Sequence, residues 1–239
     1  MNSRFSGKVA LIAGGTGGLG HAVSLAFLNE GAKVVVTYRE QKEFDALKSA
    51  AATNASSLQG QRVDVTDETA LTQFGQNVVA EYGRLDVVVN TVGAYAGGKK
   101  VWELDLKVFD QMLALNLRSV FLISRAVVPP MLKQGHGAIV NIASKAAFDH
   151  AGGTAAYAAS KAAAVALMDS LAADLQGTGV RVNSVLPSII DTEANRKAIP
   201  KANFAQWPKP EDIAPVILFL CSEEAKLIHG AAVPVYGNS

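Results

Sequence analysis

One rhythm confines this chain more than any other feature. Short apolar runs alternate with longer helix-length stretches from near the first residue to near the last. A chain written this way folds into parallel strands joined by crossover helices, since each strand must return to run in the same direction as its neighbour. Seven runs read as strands: 8–13, 33–37, 61–65, 85–90, 138–142, 180–186 and 232–236. Several are nearly unbroken Val, Ile and Ala, as expected where helices cover both faces of a sheet. Six stretches read as helices: 18–29, 40–52, 68–82, 105–133, 154–176 and 211–222. Gly31, Gly83 and Gly177 follow three of them, where a left-handed terminus favours glycine. Asp67 and Thr154 stand where N-caps belong. No repeat or Pro/Gly/Ser-rich linker divides the 239 residues, so one doubly wound α/β domain over 1–239 is expected.

Composition narrows the function. With 49% hydrophobic and 18% charged residues the chain can bury a core and is not a disordered tail. The 22 basic against 21 acidic residues leave no electrostatic drive toward nucleic acid or an anionic membrane, and neither partner is expected. The one cysteine, Cys221, excludes a disulfide framework and a multi-cysteine zinc site, and no metal is expected. The uncharged run 9–29 has the length of a membrane span, but Gly14, Gly15, Gly17, Gly18, Gly20 and His21 interrupt it. The glycines also come too early for a signal-peptide core, so a cytoplasmic protein is expected.

In an open parallel sheet ligands bind beyond the carboxyl ends of the strands, where loops 93–100 and 188–210 emerge. The second, with Pro200, Phe204, Trp207 and Pro208, reads as a structureless lid over a substrate site. Strand one runs directly into Ala13-Gly14-Gly15-Thr16-Gly17-Gly18-Leu19-Gly20, and a helix follows. Glycines there permit a tight turn and close approach to a pyrophosphate, and the helix start offers free N–H groups. Tyr157 and Lys161 lie one helical turn apart, and Ser144 lies just past strand five at the same rim. An ammonium beside a phenol favours the phenolate, so Lys161 is expected to lower the Tyr157 pKa into range for proton transfer.

Together these residues resemble the short-chain dehydrogenase/reductase family over essentially the whole chain. The matches run in order: Gly14-x-x-x-Gly18-x-Gly20, Asp64-Val65, Asn90-Thr91-Val92-Gly93, Asn116, Ser144, Tyr157-x-x-x-Lys161, Arg181-Val182-Asn183, Pro187-Ser188 and Thr192. The resemblance implies a Rossmann fold with strand order 3-2-1-4-5-6-7. It implies that Tyr157 is the acid or base, Ser144 polarises the carbonyl, Lys161 holds the nicotinamide ribose, and Asn116 positions a water of the proton relay. Cofactor contacts are implied for Gly14, Thr16, Gly17, Gly18, Leu19, Gly20, Gly93, Pro187, Ile189 and Thr192, with Asp64 and Val65 beside the adenine and Asn90 beside its ribose. It also implies a homo-oligomer, a tetramer or dimer, built on the helices that contain Asn116 and Tyr157. The chain departs from the family's usual residues at Ala13, at Thr91-Val92 and at Ser188.

Strand two ends Val36-Thr37-Tyr38-Arg39 with no carboxylate to accept the ribose 2′-OH, and Arg39 suits a 2′-phosphate. NADP(H) is therefore expected as the preferred cofactor, with NAD(H) second. The expected substrate is a small carbonyl or alcohol in a pocket lined by Tyr95, Trp102, Phe148, His150, Phe204 and Trp207. Two other enzymatic readings are open. Lys99-Lys100 would suit an acidic 3-oxoacyl thioester, and the loop Asp191-Thr192 to Trp207 is similar to that of dihydropteridine reductases. A nucleotide-sensing regulator without turnover is the reading of another class.

Overall fold

The structure is a computed structural model and describes residues 3–238. Seven parallel strands form one sheet in the order β3-β2-β1-β4-β5-β6-β7. The strands are β1 (Val9–Ala13), β2 (Lys33–Tyr38), β3 (Leu58–Arg62), β4 (Val87–Asn90), β5 (Gly137–Ile142), β6 (Val180–Pro187) and β7 (Ala232–Val235). The helices are α1 (Gly18–Asn29), α2 (Gln41–Ala50), α3 (Glu68–Tyr82), α4 (Leu106–Leu113), α5 (Ser119–Gln134), α6 (Ala155–Asp174), α7 (Glu193–Ala198) and α8 (Pro210–Cys221). The chain thus has the expected Rossmann architecture.

Period-two alternation splits the sheet's side chains between two cores. Ala10, Ile12, Val34 and Val36 pack toward α1, α2 and α8, while Val9, Leu11, Ala13 and Val35 pack toward α3, α5 and α6. Both sets are buried, which is why the strand sequences read as unbroken apolar runs.

Two expectations need correction, and the long helix between them stands. Strand three lies at 58–62 rather than 61–65. It is the sheet's edge and pairs only with β2, so its sequence Leu-Gln-Gly-Gln-Arg buries only Leu58 fully and carries no hydrophobic run to announce it. Val63 and Val65, which suggested the later boundary, enter the core against α3 after the strand has ended. The expected helix 105–133 is one 29-residue helix, Leu106–Gln134, with a π-helical turn at Ala114–Arg118 between α4 and α5. It is long and apolar enough to cross a membrane, yet lies along the sheet with part of its apolar surface uncovered. Finally, loop 188–210 is not structureless. It contains α7 and a 3-10 turn at Phe204–Gln206, and the Asp191–Arg196 ion pair and a bond from Asp191 N to Pro208 O staple it.

The amino ends of the strands are tied by one carboxylate. Asp86, whose side chain is 4% exposed, accepts from Val9 N at 2.9 Å and from the Arg84 guanidinium at 2.5 and 2.7 Å. Lys8 approaches it at 3.6 Å and His136 at 3.2 Å. Burial would raise this carboxyl, but the bonds from Arg84 and Val9 and the nearby charges hold it below the ordinary range. Asp86→Ala would leave several cations and a strand N–H without their acceptor. It is expected to lower unfolding free energy by roughly 3 kcal/mol in urea titration; a loss under about 1 kcal/mol would show that solvent already screens the cluster.

Candidate active site

At the opposite, carboxyl rim, β1 turns through Gly14, whose φ of +74° is left-handed and suits glycine. α1 follows at once and no side chain caps it, leaving its first-turn N–H groups facing outward. A Cβ on Gly20 would collide with the Gly14 carbonyl, so the helix passes closer to the turn than any other residue allows. Two threonine hydroxyls brace the turn: Thr37 Oγ1 accepts from Gly14 N at 2.8 Å, and Thr91 Oγ1 donates to Ala13 O and Gly14 O at 2.8 and 3.0 Å. This bare cradle of backbone donors fits a dinucleotide pyrophosphate.

Beside it, β5 ends and Ser144 follows in extended conformation, opening a 3-10 turn at Lys145–Ala147. Tyr157, near the start of α6, faces Ser144, whose hydroxyl acts to lower its pKa, and Tyr95 meets its ring edge-on at 4.9 Å. One turn on, the Lys161 ammonium is buried and donates to Ile142 O at 2.9 Å. A Cβ on Gly93 would stand 3.1 Å from both Lys161 Nζ and Asn116 Oδ1, which puts these two groups side by side behind that loop. Asn116 sits in the π-helical turn, where an extra residue redirects side chains. Its carboxamide accepts from Ala94 N at 2.8 Å and donates to Ala94 O at 2.9 Å and Ser160 Oγ at 3.0 Å. Ser144, Tyr157 with Lys161, and Asn116 therefore converge from three separate segments.

The model of the short chain dehydrogenase family matches residues 8–203. The chain is 34% identical over 243 residues to 3-oxoacyl-(acyl-carrier-protein) reductase FabG of Thermotoga maritima, covering 98% of each. It is 36% identical to D-threitol dehydrogenase of Mycolicibacterium smegmatis, covering 98% of this chain and 94% of that one. Among solved structures, a short-chain dehydrogenase/reductase of Burkholderia xenovorans superposes with a TM-score of 0.92 at 33% identity, covering 98% and 97% of the two chains. This chain belongs to the short-chain dehydrogenase family. It is an NAD(P)-dependent oxidoreductase acting on the alcohol/carbonyl couple.

For a short-chain dehydrogenase, several side chains stand in unexpected positions. Asn90 is 2% exposed, its side chain donating to Asn141 Oδ1 and accepting from Val92 N. Leu19 and Val65 likewise sink their side chains into the cores. Asp64 is bonded to Thr66 N and Oγ1. Thr192 caps α7 and lies over Gly18, where a Cβ would be 2.8 Å from its methyl. Pro187 is buried at the end of β6, and Ile189 just beyond is exposed. Ser188, at a usual glycine position, donates to Tyr236 O at 2.7 Å. Of the expected pocket residues, Tyr95 reaches Tyr157, while Phe204 packs on the buried Trp207 and anchors the loop. His150 binds Ala147 O, Phe148 is exposed, and Trp102 points to solvent, 82% exposed. The bracing role of Thr37 was missed, although a hydroxyl at the end of the strand beside the glycine turn was its signal.

The electrostatics reverse one expectation. Lys161 does not lower Tyr157 here. Burial pushes the phenol above its ordinary pKa, and the Ser144 hydrogen bond only partly opposes this. The reason is that Lys161 is itself desolvated, pulled down from 10.5 to about 8, and directed to the Ile142 carbonyl. Below pH 8 both folded and unfolded chains carry this charge, so its burial cost is fully present. Between about 8 and 10.5 the folded chain sheds a proton that the unfolded chain keeps, and stability from this group rises with pH. Lys161→Met is accordingly expected to stabilise the fold at pH 7 by roughly 2 kcal/mol, with the gain shrinking as pH rises through that window. An equal or lower midpoint in thermal unfolding would show the ammonium to be net stabilising.

Proposed function

We propose that this chain is an NADP(H)-preferring ketoreductase. The observation that carries the reading is the convergence of Tyr157 on Ser144, with the Lys161 ammonium one helical turn away and bonded to the Ile142 carbonyl. Tyr157 is protonated at neutral pH and is placed to serve as the acid of carbonyl reduction. Tyr157 gives its proton to the carbonyl oxygen, and the Ser144 hydroxyl donates to the same oxygen and orients it. Lys161 holds the ribose hydroxyls, and Asn116 fixes the Ala94 backbone and Ser160 behind it, where the relay water is held. When bound, the nicotinamide supplies the hydride.

Gly14, Thr16, Gly17, Gly18, Leu19 and Gly20 receive the pyrophosphate side through backbone groups; Gly93, Pro187, Ile189 and Thr192 border the nicotinamide. Asp64, Val65 and the Asn90 backbone border the adenosine. Arg39 favours the 2′-phosphate: it is exposed, and its charge acts on Asp64 at the same end of the sheet. Segment 188–210 borders the substrate, with Tyr95 as the wall against Tyr157. A 3-oxoacyl thioester is the second reading, favoured by the identity to the Thermotoga reductase and by exposed Lys99 and Lys100 beyond β4.

Two copies would pair through the helix Leu106–Gln134. Its outer face exposes Phe121 and Leu132, and Asp110, Leu113, Leu117, Arg118, Phe121 and Leu167 line one groove. Opposite charges within one apolar groove suit a self-complementary contact.

Three outcomes check these readings. Tyr157→Phe is expected to cut ketone turnover by at least about 100-fold while NADP(H) still binds; near-normal turnover would remove Tyr157 as donor. NADPH is expected to exceed NADH several-fold in kcat/KM, and Arg39→Ala to erase most of that margin; equal use of both by the unsubstituted chain would overturn the preference. Light scattering is expected to give a multiple of the 25.0 kDa protomer, and a monomer at working concentration would reject the pairing.

A further inference from the structure

The adenosine end of the cleft contains a carboxylate that sequence position conceals. No acid ends β2, yet Glu43, in the first turn of α2, accepts a hydrogen bond at 3.2 Å from Thr16 Oγ1 inside the glycine turn, 27 residues earlier in the chain. This placement is built rather than incidental. Tyr38 at the end of β2 stacks on Phe44 at 4.8 Å with 11° between the rings, and its hydroxyl donates to Gln41 Oε1 at 2.7 Å. Phe44 in turn fills the space over Gly60 on the edge strand, where a Cβ would collide with its ring. The start of α2 is thereby clamped to the ends of β2 and β3, and Glu43, the residue before Phe44, is held facing the turn.

We propose that Glu43 is a specificity-determining residue for the cofactor, opposing a 2′-phosphate and accepting a ribose 2′-OH. The inference rests on the dinucleotide reading of the glycine turn. The physical reason is direct. A nucleotide seated on the turn brings the ribose 2′ position between the end of β2 and the turn, the space that Arg39 and Glu43 flank. A guanidinium on one side attracts a 2′-phosphate, and a carboxylate on the other repels it and can take a hydrogen bond from a neutral hydroxyl. The acid that strand-end reasoning seeks on β2 is thus supplied from the following helix. It lowers the discrimination that Arg39 alone would give and lets NAD(H) enter.

Binding of two fragments isolates this effect from catalysis: adenosine 2′,5′-bisphosphate and 5′-AMP, titrated by calorimetry into the full chain at low ionic strength. For Glu43→Gln the affinity ratio of bisphosphate to monophosphate is expected to rise about tenfold, the effect of removing one carboxylate from beside a dianion. The gain is expected to shrink at high salt. Glu43→Asp, with its shorter reach, is expected to fall between the two. A purely structural role for Glu43 would change both affinities together or only the thermal midpoint. A ratio left unchanged in Glu43→Gln, with both fragments bound, overturns this inference alone. Failure of the unsubstituted chain to bind either fragment overturns the dinucleotide reading and this inference with it.

Discussion

A lysine ammonium buried where the sheet ends is the constraint around which the carboxyl rim is arranged. Lys161 reaches the Ile142 carbonyl from α6, so the helix must pass the end of β5 within a lysine side chain's reach. That passage brings Tyr157, one turn earlier, over Ser144, the second residue after the strand. It also makes Gly93 necessary in kind, since a side chain there would press on both the ammonium and Asn116. A solvated lysine would impose none of this. The cost of desolvating the charge falls on the fold, and the result is a phenol and a cation fixed in one small volume.

The glycine turn shows a similar economy. Ala13 offers no hydroxyl, and no side chain caps the helix that follows the turn, so polar bracing comes from elsewhere. Thr37 and Thr91 supply that bracing from the strands on either side of β1, one accepting and one donating. The departures at 13 and 91 are thus connected: hydroxyls on the flanking strands serve the turn. Ser188 anchors the rim in another way, through the Tyr236 carbonyl of the last strand's end.

What the sequence revealed followed the strength of local signals. The parallel strands were legible as unbroken apolar runs, while the strand order and the grouping of Ser144, Tyr157, Lys161 and Asn116 followed from the family resemblance, since a Tyr-x-x-x-Lys spacing alone is common. The edge strand was misplaced by three residues because Gln59 and Gln61 face water and only Leu58 signals burial. α7 was overlooked because six residues, Glu193–Ala198, are too few for a periodic pattern and depend on the Thr192 cap and the Lys197–Glu193 pair. The direction of the Tyr157 shift was out of reach for another reason. Spacing tells that an ammonium is near, whereas burial and the partner it has chosen decide which way the phenol moves. Glu43 was hidden because its contact with Thr16 depends on how a helix is clamped to two strand ends.

The two rims of the sheet divide stability and chemistry between them. At the amino rim the buried Asp86 is fully engaged by cations and a backbone N–H. At the carboxyl rim the same sheet leaves polarity poorly satisfied. Lys161 has one carbonyl, and Asn141 Nδ2 and Ser184 Oγ, register partners on β5 and β6, are buried without a hydrogen-bond partner among the described residues. An orphaned polar group costs free energy at either end, so its confinement to the rim that holds Ser144 and Tyr157 has physical meaning. Polarity is tolerated there because the cleft needs it, and the well-matched cluster at the far end helps offset the cost.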